Sequence, residues 1–355
     1  MEIKDLLNLT IQNKASDLHL LVGIPPTIRV DGILSYLPDY PILTPEILES
    51  MIFSVLTPVQ KELLLANKEL DFSLGFGGGV FGELGRFRVN LYYQKRQLSG
   101  AFRFLEPKIR TIEELELPKI AHTFAALRQG LVLITGPTGH GKSTTLAAII
   151  NEINLTRSVH ILTIEDPIEY VYPNGKSIVS QREMDLDTHS WSLALKSALR
   201  EDPDVVMVGE MRDPETIASA ITIAETGHLV FSTLHTNSAA QSIDRIIDSF
   251  SSAQQTQIKV QLAATLKGIL SQRLIPQIGG GRIPAMEVLM GTPAIASNIR
   301  DGKTHLIDSV IQTSQDKGMI TLESSLASLV LSGRISLETA KDYALHQDDL
   351  LRMVG

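Results

Sequence analysis

Leu131-Val132-Leu133-Ile134-Thr135-Gly136-Pro137-Thr138-Gly139-His140-Gly141-Lys142-Ser143-Thr144-Thr145-Leu146 is the stretch whose reading decides the fold class. Its first five residues form a short buried strand, the glycines break it, and from Lys142 a helix-forming pattern begins. Residues 136–143 match G-x-x-x-x-G-K-[ST]. They also stand where that motif has to stand, after a strand and before a helix, which disfavours an accidental glycine-rich turn. The glycines let backbone N–H groups turn inward around phosphates, and the helix N-terminus adds its positive dipole end. Lys142 is expected to reach the β- and γ-phosphates and Ser143 to give an oxygen to Mg²⁺. The expected nucleotide-binding residues are therefore Gly136, Pro137, Thr138, Gly139, His140, Gly141, Lys142, Ser143 and Thr144, with ATP and Mg²⁺ as cofactors. His140 fills a freely variable position of the motif, and its side chain is expected in solvent at the loop tip with no role of its own.

Working outward, strand, glycine turn and helix alternate. Predicted strands run from Leu131 to Thr135, His160 to Ile164, Val205 to Val208 and Leu229 to Ser232, with helices from Ser190 to Arg200 and Pro214 to Glu225. Such alternation specifies a parallel sheet covered by helices. Beyond Ser238 the pattern reads as mainly helical, apart from a strand at Ile283 to Met290 after Gly279-Gly280-Gly281. Four helices are expected between residues 293 and 349, parted near Gly302, Gly318 and Gly333. The amino-terminal part differs. After a short opening helix it is strand-like, with turns at Gly23-Ile24-Pro25-Pro26 and Asp31-Gly32. Phe87, Val89 and Leu91 alternate with Arg86, Arg88 and Asn90, and Phe102 and Phe104 flank Arg103, so two strands form a hairpin with an arginine-bearing outer face. The proline-bearing stretch Glu106-Pro107-Lys108-Ile109-Arg110-Thr111 reads as a linker. The expected division is an N-terminal α/β domain at 1–106, a linker at 107–112, a nucleotide-binding core at 113–292 and a helical C-terminal region at 293–355.

Composition agrees with two domains, or three, in 355 residues. Lys+Arg 32 against Asp+Glu 40 gives 32 − 40 = −8, which argues against sequence-blind clamping of a nucleic acid, although a local basic channel stays open. No cysteine occurs, excluding disulfides, thiolate zinc sites, iron–sulfur clusters and cysteine nucleophiles. No apolar run approaches the roughly 18 residues that span a bilayer, and the amino terminus lacks a secretory layout, so the protein reads as cytosolic.

Ligands of doubly wound sheets bind beyond the carboxyl ends of the strands, so acids and bases there are the candidates. Thr163-Ile164-Glu165-Asp166-Pro167-Ile168-Glu169 ends one strand in carboxylates that could hold the Mg²⁺ shell or the attacking water, with a solvated turn as the alternative. Asp204-Val205-Val206-Met207-Val208-Gly209-Glu210 resembles a Walker B strand in which Gly209 takes the usual metal-associated position and Glu210 is left to align water. Asp213-Pro214 reads as a helix cap and is structural. In Thr226-Gly227-His228 through Leu234-His235-Thr236, His235 leaves the strand where an imidazole can sense a γ-phosphate. His228, at its start, stands equally between a site role and a structural one.

Together these motifs resemble the secretion ATPases of the type II/type IV pilus superfamily. The phosphate loop with Thr144-Thr145-Leu146, the acidic segment Thr163 to Tyr170 (the Asp box), Glu210 with Met211-Arg212-Asp213, and the His box Thr226 to Thr236 occur in family order, joined by Gln181-Arg182-Glu183 and Ser197 to Asp204. Ala15-Ser16-Asp17-Leu18-His19-Leu20, the near-absence of an amino-terminal extension and the missing cysteines of the extension ATPases' zinc element look like the retraction branch. Thr292-Pro293-Ala294-Ile295 and Ile299-Arg300 also do, but Ala296, Ser297, Asn298 and Asp301 depart from that branch's AIRNLIRE motif. The resemblance implies a PAS-like amino-terminal α/β domain and a RecA-like P-loop ATPase domain with a helical C-terminal region. It further implies a homohexameric, ATP-hydrolysing ring motor for pilus retraction and twitching motility. That motor would act on an inner-membrane platform protein from the cytoplasmic side of the pilus base, beside a retraction paralogue and without nucleic acid. The implied site adds Glu165, Glu169, His228, Glu210 and His235 to the loop, with Arg88, Arg96 and Arg103 as candidates for a charge reaching across a subunit interface. An accessory retraction paralogue, a divergent motor and, from another class, a nucleic-acid translocase are the competing readings.

Overall fold

The computed structural model describes residues 2–30, 32–77, 85–105 and 107–355; Asp31 of the predicted turn and Glu106 of the predicted linker lie outside them. The chain separates into two units, Met1–Lys108 with Pro167–Val171, and Ile109–Asp166 with Tyr172–Gly355.

In the first unit, α1 (Ile3–Gln12) leads to β1 (Asp17–Leu21), β2 (Thr27–Val30) and β3 (Ile33–Tyr36). Helices α2 (Pro45–Phe53) and α3 (Pro58–Asn67) then precede β4 (Glu69–Phe76), β5 (Gly85–Gln94) and β6 (Gln97–Leu105). The strands form one sheet in the order β3-β2-β1-β6-β5-β4, antiparallel at every pairing. Two-residue alternation sends Leu18, Leu20, Phe87, Val89, Leu91 and Phe102 to one face, where they are fully buried with Leu6 and Leu7 of α1 and Leu48 and Ile52 of α2. Each such side chain stabilises the fold by about 1.5–3 kcal/mol. The opposite face is polar, and Arg88 and Arg103 are direct register partners on it. Like charges in that position repel. Asp17, the next residue across the sheet, answers them: it stands 2.9 Å from Arg103 and 3.9 Å from Arg29. Burial raises the Asp17 carboxyl, but hydrogen bonds from Ser16 and Arg103 outweigh it and hold the group below its usual range. Arg96 is not on this face; with Lys95 it makes the two-residue turn joining β5 to β6, at φ of 64° and 48°.

The second unit opens with α4 (Ile120–Ala126), β7 (Gly130–Thr135), α5 (Lys142–Thr156), β8 (His160–Glu165), β9 (Ile178–Glu183), α6 (Trp191–Ala198), β10 (Val205–Val208), α7 (Pro214–Glu225) and β11 (Leu229–Leu234). It continues through α8 (Ala239–Asp248), α9 (Ser252–Thr265), β12 (Leu266–Pro276) and β13 (Arg282–Met290). Seven strands are ordered β13-β12-β7-β11-β10-β8-β9. All pair in parallel except β13, which returns antiparallel along β12. Every residue of β7, β10 and β11 is buried, as continuous apolar strands between two helical layers must be. The last segment carries α10 (Pro293–Arg300), α11 (Ile307–Thr313), α12 (Leu322–Leu331), α13 (Leu337–Tyr343) and α14 (Gln347–Val354). Leu322, Leu326, Ala340 and Leu350 of these helices pack on Ile275 of β12 and Ile283 of β13.

The helical reading beyond Ser238 needs correction at residues 266–276, which form the eleven-residue strand β12 directly after α9. Among the described residues, no helix is long and apolar enough to cross a membrane.

Candidate nucleotide site

Parallel pairing of β7 with β11 brings Thr135 beside Leu234, so both strands deliver their following residues to one end of the sheet. From β7 that is the phosphate loop. Gly139 and Gly141 have φ of 80° and 79°, left-handed values that favour glycine. At Gly136 a β-carbon would come within 2.2 Å of the Gln272 carbonyl oxygen, so only glycine fits. Gly141 is the N-cap of α5 and has no side chain to satisfy the first helical amides; these are the donors that a phosphate takes. Lys142 is buried, its ammonium donating to the carbonyls of Gly136 and Pro137 at 2.9 Å each. Ser143 is exposed on the first turn of α5. The loop backbone, the uncapped helix start and a buried cation fit a polyphosphate.

From β11 comes His235. Its Nδ1 lies 3.3 Å from Lys142 Nζ and 3.3 Å from the Thr138 hydroxyl. An ammonium can only donate, so Nδ1 accepts and Nε2 carries the proton. Nε2 stands 3.4 Å from Glu210 Oε2, and Arg212 Nε lies 2.5 Å from Glu210 Oε1. Lys142, His235, Glu210 and Arg212 thus form a chain of alternating donors and acceptors. The Glu210 side chain is 15% exposed and that of Arg212 74%, so the carboxylate is shielded while its guanidinium partner stays in water. A cleft of about 530 Å³ opens beside them, bounded by Arg212, His235 and Thr236 and by Asp244, Arg245 and Asp248 of α8.

Glu165, at the end of β8, is buried; its Oε1 accepts from the Thr163 hydroxyl at 2.6 Å and from Gln181 at 3.1 Å. Asp213 caps α7, accepting from the Thr216 amide at 2.9 Å and hydroxyl at 2.7 Å. His228 does not join the site. It precedes β11 at the end away from the loop, with Nδ1 3.1 Å from the Ile223 carbonyl and 3.0 Å from the Thr226 hydroxyl. Six strand residues at about 3.3 Å each separate it from His235. Glu169, in Pro167–Val171, and the arginines Arg88, Arg96 and Arg103 belong to the first unit.

The expectation of a solvated His140 is also corrected: the residue is half-buried, and its Nδ1 accepts from the Leu274 amide at 3.0 Å. Two residues with no sequence signal support the site. Gln272 of β12 is 2% exposed; it donates to the His140 carbonyl at 2.8 Å and accepts from Thr145 at 2.6 Å. Glu287 of β13 accepts from the Ala239 amide at 2.5 Å and so fixes the start of α8, four residues after His235. Burial pushes its carboxyl up to about 7 against that hydrogen bond.

Residues 104–342 match the family described as type II/IV secretion system protein. The chain belongs to this family. Within it, the chain is 46% identical to the type IV pilus retraction ATPase PilT of Pseudomonas aeruginosa over 344 residues, covering 97% of this chain and 98% of the relative. It is 44% identical to the twitching motility protein of Neisseria gonorrhoeae, over 92% of this chain and 86% of that one. The crystal structure of the pilus retraction motor PilT with bound ADP superposes with a TM-score of 0.91 at 45% identity, covering 99% of both chains. The fold class of this family member is that of its solved relative: a small amino-terminal α/β unit, a P-loop ATPase unit and a helical C-terminal region.

Proposed function

We propose that this chain is an ATP-hydrolysing motor that powers retraction of type IV pili. The observation that carries this reading is the chain from Lys142 through His235 to Glu210, which links a phosphate-binding cation to a shielded carboxylate by one imidazole. ATP enters with its phosphates on the loop amides and on Lys142, whose Nζ then exchanges its carbonyl partners for phosphate oxygens. His235 loses that donor and is free to turn, so that its protonated Nε2 donates to a γ-phosphate oxygen. Glu210 aligns water for attack on the γ-phosphorus; the bond to the bridging oxygen breaks as the new P–O bond forms, and the water's proton leaves through the carboxylate to solvent. Mg²⁺ would be held by Ser143 Oγ with the phosphates' own oxygens and supplies charge neutralisation. Glu165, with its two donors in place, orders the neighbouring strand end.

Arg88, Arg96 and Arg103 would meet a neighbouring subunit's nucleotide in a homohexameric ring, as charges on a separate unit suited to a transition state. Arg88 stands opposite Arg103 in the sheet, and the Asp17 partner sits on the Arg103 side, which makes Arg88 the strongest of the three. Cycling of the ring would move an inner-membrane platform protein at the pilus base, placing the motor on the cytoplasmic face there.

A second reading, an accessory retraction ATPase, is favoured by α10. Ile295 and Ile299 are fully buried and keep the helix seated, while Ala296, Ser297, Asn298 and Asp301 sit at half-buried or exposed positions. The helix is thus intact and its outward chemistry altered. Deleting the gene separates the two: the principal motor's loss leaves cells with excess pili and no twitching, whereas loss of an accessory leaves twitching in place. Loss of pili would contradict both.

A further inference from the structure

The phosphate loop is braced on one side by β12 and α13, and His140 stands at that contact. Its Nδ1 accepts from the Leu274 amide at 3.0 Å. Its ring centroid lies 6.4 Å from that of Tyr343, tilted by 58°. Through its carbonyl it accepts from Gln272 at 2.8 Å, and Gln272 in turn accepts from Thr145 of α5 at 2.6 Å. Arg273, the residue between Gln272 and Leu274, donates to the Tyr343 carbonyl at 2.6 Å. A variable position of the motif has therefore become a joint between loop, strand and C-terminal helix.

We propose that His140 is a positioning residue for the phosphate loop, its neutral imidazole holding the loop amides ready for phosphate by accepting from the Leu274 N–H and tying the loop to α13. The proposal rests on reading the loop as the nucleotide site. Amides fixed before binding need not be ordered by the ligand, which is where the gain in affinity arises. Acceptance at Nδ1 requires a lone pair, and a proton there would face the Leu274 N–H. The charged and titratable groups around the ring are Arg273 of β12, Lys142 of α5, Arg282 of β13 and Tyr343 of α13. Burial first, and then Arg273, Lys142 and Arg282, depress the imidazole's pKa, so the neutral form prevails at neutral pH. The brace is whole there and is lost only as the pH falls through the depressed pKa, on the acid side of the ordinary imidazole value of about 6.5.

The test is binding of a fluorescent ADP analogue to the purified full chain at about pH 7.5 and about pH 5.5. Wild type, His140→Asn, His140→Ala and Lys142→Ala are compared, each with a thermal melt. Asn places an acceptor where Nδ1 stands. His140→Asn is expected to bind as wild type does at the higher pH, and His140→Ala about two- to ten-fold more weakly. On acidification the wild type should fall towards the alanine variant while His140→Asn does not. Alanine binding as tightly as wild type, Asn binding as weakly as alanine, or parallel pH profiles for wild type and Asn would each overturn the proposal. Should His140→Ala melt too early to measure, the comparison of wild type with Asn decides alone. If wild type binds nothing, or Lys142→Ala binds equally well, the nucleotide reading itself fails and the proposal with it.

Discussion

β11 carries a histidine beyond each end, and the two have opposite fates. His235, after the strand, reaches Lys142 and Glu210; His228, before it, is tied to the turn that leaves α7. Composition, motif membership and distance along the chain do not separate them. Strand direction does: in a parallel sheet all chemistry gathers beyond the carboxyl ends, and the other end returns chain from the helices.

The sharpest way to break this comparison is at the carboxylate end. Glu210→Gln keeps the shape but not the charge, and should lower kcat for ATP by about 10²–10⁴-fold with nucleotide affinity little changed, read by phosphate release and ADP binding. Normal turnover in this variant would remove Glu210 from the mechanism. Next comes His235→Ala, which cuts the link between Lys142 and Glu210; a fall in kcat of roughly ten- to a hundred-fold is expected, larger than any rise in KM. Glu287→Gln probes what supports the loop end. Its carboxyl is raised to about 7 in the folded chain, so the folded state binds more protons than the unfolded one between the ordinary value and 7. Wild-type stability should therefore decline as pH rises through that window, by about 1–3 kcal/mol, and Glu287→Gln should abolish the decline in denaturant melts. Smallest is His228→Ala, expected to cost about 0.5–1.5 kcal/mol of stability from one lost hydrogen bond and to leave ATP turnover as it was. A loss of turnover as large as that of His235→Ala would erase the contrast between the strand's ends.

The sequence made the loop, the strand ends and the order of acids and histidines legible because each is local: a turn, a cap, a strand terminus. What stayed hidden was contributed from far along the chain. β12 reads as a continuation of α9, since Ile258, Leu262, Leu266 and Leu270 keep a helical spacing and no turn intervenes. One signal was present. Gly268 accommodates the Phe124 ring, which a β-carbon would meet at 2.3 Å, and an isolated glycine in an apolar run often marks such a close approach. With β12 unread, Gln272 was an ordinary glutamine and His140 a solvated tip. The position of Arg96 in the turn has no sequence signal for a different reason. Alternation gives the face of a strand residue but not where the strand ends, and Lys95-Arg96 lacks the glycine or asparagine that usually announces a two-residue turn.

Gly136 is fixed twice, once as the opening of a phosphate cradle and once because β12 lies against it, with the Gln272 carbonyl occupying the place of any side chain. A larger residue would have to pry β12 from β7, undoing a pairing that runs from Leu266 to Ser271. A descendant of this chain that had ceased to hydrolyse ATP would still need glycine there merely to fold, so that residue is a poor witness to turnover, whereas Lys142 and Glu210 would be released to drift.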